Sequence, residues 1–393
     1  MRIALLTDGI FPYVIGGMQK HSYYLTRFFV EMGLDVSLFH CVTEGEIPSE
    51  EQVRADLQIP ESANFKSICI RFPKGNKLPG HYLRSSYLYS IQQAEKVKQE
   101  TAFDFIYSKG FSAWALLAEK QKGKFNTPIG VKFHGYEMYQ TPPNLKAKLQ
   151  YLMLRGPVKF CNQAADVVFS YGGKITPIIE SLGVPKNKII EIPSGIESTW
   201  INQEDRQVKP EGSAKKLLFL GRYERRKGIE ELNHVLSNIL DEVAFSIEFI
   251  GPIPPSKQIK HDRVYYHGKI MDQEKIQEIM DSCDILVTPS HSEGMPNVIM
   301  EGMARSMAIV ATDVGAVPIQ VDEQNGWRIQ AANENELEAV LLKLDKMSNV
   351  DLQQLQIASK QRIIDLFQWE DVSKSTLSAI QTFLLSHAKD SKE

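Results

Sequence analysis

Short apolar runs recur along the chain, each followed by a polar or glycine-bearing turn and then by apolar residues at helical spacing. Residues 2–7 form the first run and end at Asp8-Gly9. A loop with Gly16-Gly17, a helical pattern from Met18 to Met32 and a second apolar run from Leu34 to His40 follow. This order of strand, glycine loop, helix and strand predicts the opening of a parallel α/β sheet. The same beat continues through Phe105-Ile106-Tyr107, a helix at about 112–122, Ile129 to Phe133, a long helix at about 144–163, Val167 to Phe169, a helix near 175–182 and Ile189-Ile190. The polar stretch Asn202 to Ala214 interrupts it and reads as an interdomain linker. Strands are then predicted at Leu217–Gly221, Phe245–Ile250, Val264–His267 and Ile285–Thr288, with helices near 228–240 and 273–282. Further helices are predicted at 334–346, 352–367 and 370–387.

A chain of 393 residues exceeds one typical domain. The expected division is 1–195 with the terminal helix, about 370–393, returning to it, and 196–369 as a second domain. Hydrophobic content of 43% and charged content of 24% allow both to bury a core. Only residues 389–393 read as disordered. The four cysteines are scattered and form no CxxC pair, which fits core thiols in a reducing compartment rather than a zinc site or disulfide framework. No run reaches the length of a membrane span, and the opening is unlike a signal peptide, so a cytoplasmic location is expected.

A net charge of −3 carries no nucleic-acid signature. Its distribution is uneven: residues 1–195 hold 23 Lys and Arg against 17 Asp and Glu, and 196–393 hold 22 against 31. The basic half is the one suited to an anionic surface or acceptor. Arg71 to Arg84, basic and aromatic, and Lys146 to Lys159, basic among apolar residues, are the candidate contacts. Each also reads as an ordinary loop or a core helix with a solvated face.

The chemistry concentrates in Ser290-His291-Ser292-Glu293-Gly294-Met295-Pro296-Asn297-Val298-Ile299-Met300-Glu301. Pro296 is expected as the first residue of a helix, since its fixed φ suits that place and its missing N–H has no intrahelical partner there. Glu293 then precedes the N-terminus, where free N–H groups favour an anion, and Glu301 lies about two turns along. The plain alternative is a Gly-Pro turn into a surface helix with two solvated acids. Gly16-Gly17 follow the first strand, where absent side chains let a phosphate approach, although the spacing is not GxGxxG. Gly221-Arg222-Tyr223-Glu224-Arg225-Arg226-Lys227-Gly228 opens the second domain in the matching place. Arg222 and Lys227 are the expected diphosphate ligands there, with Arg225 and Arg226 on a solvated rim. His134, after the run at 129–133, could bond a sugar hydroxyl or serve structurally.

The order Gly-Gly loop, His134-Gly135, Pro193-Ser194-Gly195-Ile196-Glu197, Gly221-Arg222-x4-Lys227-Gly228 and Glu293-x7-Glu301 resembles the retaining glycosyltransferases of family 4. That resemblance implies a GT-B fold of two Rossmann-like doubly wound domains facing a cleft. It implies that Gly16 and Gly17 approach the donor phosphates, that Arg222 and Lys227 hold the diphosphate, and that Glu301 binds the ribose. Glu293 and His134 would stand at the donor sugar, and Gly294, Met295, Pro296 and Asn297 would offer backbone groups. The chain departs from the family at Ser306, where a glycine would ease a left-handed helix end, so a different cap is expected there.

The expected activity is metal-independent transfer of a sugar, with retention, from a nucleoside-diphosphate donor to a hydroxyl of a glycan or lipid-linked acceptor. The pathway expected is cell-surface glycan or glycolipid synthesis. No cofactor and no metal is expected, and the first domain is the candidate for peripheral contact at the inner face of the membrane. The alternatives are another GT-B enzyme, such as a nucleotide-sugar epimerase or a phosphorylase, and a non-catalytic nucleotide-sugar-binding partner.

Overall fold

The fold is taken from a computed structural model that describes residues 1–75, 80–204 and 206–390. The expected disorder at 389–393, the basic stretch at 71–84 and the linker at 202–214 lie partly outside those residues. Thirteen strands are present among the described residues. They are β1 (Arg2–Leu6), β2 (Asp35–Val42), β3 (Phe65–Arg71), β4 (Phe105–Lys109), β5 (Ile129–Lys132), β6 (Val167–Ser170), β7 (Ile189–Glu191), β8 (Lys216–Leu220), β9 (Ser246–Ile250), β10 (Val264–Gly268), β11 (Ile285–Thr288), β12 (Ala308–Thr312) and β13 (Gly326–Ile329). The α-helices are α1 (Gly17–Glu31), α2 (Glu50–Asp56), α3 (His81–Gln99), α4 (Trp114–Lys120), α5 (Leu145–Ala164), α6 (Ile175–Ser181), α7 (Ile229–Ile239), α8 (Gln273–Ser282), α9 (Asn297–Ala304), α10 (Val317–Gln320), α11 (Glu334–Lys346), α12 (Asn349–Leu366) and α13 (Trp369–Asp390).

The chain divides into two compact units: Met1–His134, Gln150–Gly195 and Trp369–Glu393 form one, and Gly135–Leu149 with Ile196–Gln368 form the other. In the first unit the sheet order is β3-β2-β1-β4-β5-β6-β7, all parallel. Its strands read as apolar runs because helices cover both faces. The core gathers Ile3, Leu5, Phe29, Val36, Leu38, Phe105 and Phe169, and α13 adds Trp369, Val372 and Ile380. The terminal helix thus belongs to the first unit. Gly195 lies against it so closely that a Cβ would stand 2.8 Å from the Trp369 Cα.

In the second unit the order is β10-β9-β8-β11-β12-β13, again parallel. Leu217, Phe219, Leu232, Phe249, Ile285, Val310 and Leu341 are among its core residues. Each sheet reverses direction once, between β1 and β4 in the first and between β8 and β11 in the second. Loops at the carboxyl ends of strands flanking such a reversal diverge and leave room for a ligand.

The elements absent from the sequence reading are α2, β3, α3, α10 and β13. Helix α3 hides its period because its buried face carries Ser85, Ser86, Ser90 and Gln93 beside Tyr89, Ala94 and Val97. That polar face caps β1: Tyr89 Oη and Gln93 Nε2 donate to the Thr7 carbonyl at 2.7 and 3.2 Å. Helix α2 opens with a Ser49-x-x-Gln52 capping box, a local pattern that the sequence reading passed over. Two local expectations need correction. Pro296 is the N-cap, with ψ 116, and α9 starts at Asn297. Ser306 itself takes the left-handed conformation at φ 54. Its N–H bonds the Met303 carbonyl at 2.9 Å, and the Met307 N–H bonds Gly302 O at 2.9 Å, so a Schellman cap forms without glycine. All four cysteines are free, and Cys41, Cys161 and Cys283 are buried. No helix among the described residues is long and apolar enough to cross a membrane.

Candidate active site

The second unit brings the Gly221–Gly228 loop and the Glu293 loop together because β8 and β11 are neighbours across the sheet reversal. Backbone approach locks the two loops. Gly228 has φ 67, and a Cβ there would lie 1.8 Å from the Pro289 carbonyl oxygen, so only glycine fits. The His291 N–H then donates to Arg226 O at 2.8 Å.

This contact aims the cations at Glu293, whose residue is 8% exposed. Lys227 Nζ donates to Oε1 at 2.7 Å, and Arg226 Nη1 donates to Oε2 at 3.1 Å and to the Ser292 carbonyl at 3.0 Å. Burial pushes the Glu293 carboxyl up, but the Lys227 and Arg226 charges and their hydrogen bonds outweigh it and hold it below the usual range. The Glu293 backbone is clamped as well. Gln140 Nε2 donates to its carbonyl at 2.8 Å, and its N–H donates to Gln140 Oε1 at 3.3 Å. From the other side Gly315, at φ 54, packs where a Cβ would meet Glu293 O at 2.3 Å.

Each of the four clustered cations has an acidic partner. Arg222 points outward, with its side chain 70% exposed, and pairs with Glu224 at 3.0 Å. Arg225 Nη1 donates to Glu231 Oε2 at 2.7 Å. His291 Nε2 lies 2.9 Å from Glu231 Oε1. Burial raises Glu231, and hydrogen bonds from His291 and Arg225 reverse the shift and take it down to about 2. Arg226, assigned from the sequence to a solvated rim, is therefore on Glu293, whereas Arg222 is not. Gly294 and Met295 are buried and lead into α9, whose N-terminus no side chain caps. Asn297 and Glu301 sit half-buried on that helix, one turn apart.

The first unit gathers a different set at the ends of β1, β4, β5 and β6. Gly16 is the N-cap of α1 and Gly17 its first residue, and no side chain caps this end either. Lys109 closes β4 and is 2% exposed. Its ammonium lies 2.7 Å from His21 Nδ1 and 2.9 Å from Ser22 Oγ. Lys132 closes β5, is 1% exposed, and donates to Ile192 O at 2.7 Å. Its ammonium stands 4.1 Å from the Tyr171 ring centroid. Burial brings Lys132 down to about 7 and pushes Lys109 down as well, with Lys132 adding repulsion. Asp8 is raised to about 6 by burial, against the pull of Lys109.

His134 stands over this floor, its ring 5.0 Å from that of His21. Its Nδ1 is 2.5 Å from the Tyr171 hydroxyl. Burial raises the Tyr171 phenol well above its ordinary range, so it keeps its proton. The His134 ring is held neutral by burial and by Lys109 and Lys132, so one ring nitrogen carries the proton and the other accepts. Its Nε2 is buried and has no hydrogen-bond partner among the described residues. Nε2 is therefore the ring atom left to bond a ligand, as donor or acceptor according to the tautomer.

Sequence reading passed over Lys109, Lys132, His21, Glu231 and Gln140 as site residues. The signal present for the lysines was a charged residue ending an otherwise apolar strand, as in Phe105-Ile106-Tyr107-Ser108-Lys109.

Two family descriptions match the chain in tandem: Glycosyltransferase Family 4 over residues 15–200 and Glycosyl transferases group 1 over residues 214–346. An uncharacterized glycosyltransferase, MJ1178 of Methanocaldococcus jannaschii, is 23% identical over 376 residues, spanning 93% of this chain and 94% of that one. The putative colanic acid biosynthesis glycosyltransferase WcaL of Salmonella typhimurium is 22% identical over 52% of this chain and 53% of its own. The structure of a sucrose-phosphate synthase from Thermosynechococcus elongatus superposes with a TM-score of 0.75 at 19% identity, covering 98% of this chain and 99% of that one. With two doubly wound parallel sheets and tandem matches to both halves of the family, the chain belongs to the GT-B glycosyltransferases of family 4, group 1.

Proposed function

We propose that this glycosyltransferase moves a sugar from a nucleoside diphosphate to an acceptor hydroxyl with retention at the anomeric carbon. The observation that carries the reading is the ionised, buried Glu293 held by Lys227 and Arg226 in front of the uncapped N-terminus of α9. A departing diphosphate needs fixed positive charge. Lys227 retains N–H groups beyond its bond to Glu293, and the first N–H groups of α9 add partial charge, so no divalent metal is required in this scheme. Arg222, on its exposed loop, would turn from Glu224 to the diphosphate. Glu301 would take the ribose hydroxyls, Glu293 the donor sugar, and the backbone of Gly294 to Asn297 the phosphates. In the first unit, His134 would bond a substrate hydroxyl through Nε2, and the open N-terminus at Gly16-Gly17 would receive an anionic group.

The acceptor is proposed to be a cell-surface glycan or glycolipid precursor, assembled from the cytoplasm at the inner face of the membrane, without a cofactor. The likeness to a colanic acid glycosyltransferase supports that choice. A thermal-shift screen against UDP-, GDP- and ADP-sugars tests donor binding. A donor at 100 times its Kd adds about 2.7 kcal/mol of stability. No shift with any of the three classes would overturn the donor assignment, and an inverted product anomer by NMR would overturn retention.

A further inference from the structure

We propose that Arg225, Glu231 and His291 are positioning residues for the transfer, a bracket within the second unit that sets Arg226 and Lys227 at bonding distance from Glu293. The two cations ride on a single 3-10 turn, Arg225–Lys227, too short to keep its shape through its own backbone bonds. Its support comes from outside the turn. Glu231 lies in the first turn of α7, is 6% exposed, and meets the Arg225 guanidinium as a fork. Arg225 Nη1 donates to Oε2 at 2.7 Å and Nη2 to Oε1 at 2.5 Å. From the facing loop His291, 3% exposed, brings Nε2 to 2.9 Å from Glu231 Oε1 and 2.6 Å from Arg225 Nη1.

Neighbouring positions on the turn thus do different work. Arg225 is anchored, and Arg226 and Lys227, next along the chain, take the Glu293 oxygens at 3.1 and 2.7 Å. His291 ties the cation turn to the Glu293 loop twice, through its ring and through its N–H on Arg226 O at 2.8 Å. A buried ion pair adds little as a scaffold, since an apolar contact would join the loops without desolvating a carboxylate and a guanidinium. What an apolar contact lacks is direction. The fork and the ring bond fix the turn along set axes, and a shift of about 1 Å at reacting groups can slow a reaction about 100-fold. Glu231 also neutralises Arg225, which keeps that cation from competing with Arg226 and Lys227 for Glu293. The inference rests on the reading of Glu293 as the acid beside the donor sugar.

Two substitutions at His291 decide it. His291→Leu keeps the bulk and the backbone bond to Arg226 but drops the ring bonds, whereas His291→Gln returns an amide to the place of Nε2. The side-chain 13C titration of Glu293, read in the full chain without donor, should move up in His291→Leu and return toward wild type in His291→Gln. Release of nucleoside diphosphate from UDP-glucose, GDP-mannose and ADP-glucose, with water as acceptor, is the second readout. In the leucine variant kcat should fall about tenfold with donor KM within about twofold, and the glutamine variant should recover most of the loss. Arg225→Lys keeps the charge and loses the fork, so it should behave as His291→Leu does, and it serves if the leucine variant does not fold. A merely structural role would lower the melting temperature of the variants and leave the Glu293 titration in place, which would overturn the proposal. Equal losses in His291→Leu and His291→Gln would overturn it too. If wild type neither binds nor cleaves any of the three nucleotide sugars while the titration moves as expected, the donor reading falls and the hold of the bracket on Glu293 is upheld.

Discussion

Lys227 Nζ lies 2.7 Å from Glu293 Oε1 although 66 residues of chain separate them, and Arg226 holds the other carboxylate oxygen at 3.1 Å. A carboxylate gripped this way stays ionised well into acid. Its depressed pKa adds stability above the unfolded carboxylate pKa, and that stability is lost as pH falls through the folded value. The acid limb of the transfer rate, where it reports Glu293, should therefore lie below the ordinary carboxylate range. Arg226→Gln should move that limb upward, and Glu293→Gln or Lys227→Ala should cut turnover by about 100-fold or more. Near wild-type turnover in either of the last two variants would remove Glu293 from the reaction, and an unmoved limb in the first would remove Arg226 from its support.

The Tyr171 hydroxyl lies 2.5 Å from His134 Nδ1, and it is expected to donate there and hold the ring proton on Nε2. Tyr171→Phe should release that choice and allow protonation at Nδ1, visible in the ring 15N shifts of His134. Loss of one oriented donor should slow transfer about tenfold, equivalent to ~1.4 kcal/mol. A wild-type spectrum with the proton on Nδ1 would contradict the assignment.

Lys132 costs the fold stability at neutral pH. Its pKa falls to about 7 on burial, so between about pH 7 and its unfolded value the unfolded chain binds more protons, and the penalty shrinks as pH rises through that window. At pH 7 the penalty is on the order of 4 kcal/mol. Lys132→Met keeps the volume but forfeits the bond to Ile192 O, worth about 1 kcal/mol. The variant should be more stable than wild type by about 2 kcal/mol at pH 7 after allowing for imperfect repacking. That advantage should fade toward pH 10 in urea titrations. Activity should fall with it, since Lys132 backs Tyr171. A variant less stable at pH 7 would show that Lys132 is accommodated without cost.

Ser306 holds a left-handed backbone and a buried hydroxyl that has no partner among the described residues. The conformation costs about 1–2 kcal/mol for a residue with a Cβ. Ser306→Gly relieves both strains against the added freedom of glycine in the unfolded chain, worth up to about 1 kcal/mol. A net gain of about 1 kcal/mol, read as a rise of about 2–4 °C in the melting of the second unit, is expected. Ser306→Ala is the control: it removes the hydroxyl alone and should gain less.

The sequence carried most of the strand and helix order because parallel sheets covered on both faces require continuous apolar runs, as in Leu217 to Leu220 or Ile285 to Val287. Where burial is polar, the signal failed. Helix α3 buries Ser86, Ser90 and Gln93 beside Tyr89, and the partner of Tyr89 and Gln93, the Thr7 carbonyl, is 82 and 86 residues away. Glu293, Glu301, Lys227 and His134 stood out as residues because their types and spacing sit beside turns after strands.

Their partners did not stand out. Neighbouring cations such as Arg222, Arg225 and Arg226 are equivalent in a linear reading, and only the approach of Gly228 to Pro289 decides that Arg226 reaches Glu293 while Arg222 faces solvent. The Lys109 and Lys132 floor beneath His134 arises likewise from the parallel register of β4 and β5. Local periodicity and turn chemistry are short-range and written in consecutive residues, so the sequence by itself determined the fold class and the candidate acids and cations. Which charge meets which, and which ring nitrogen of His134 faces Tyr171, depends on burial and on contacts between distant strands, and only the tertiary structure decided them.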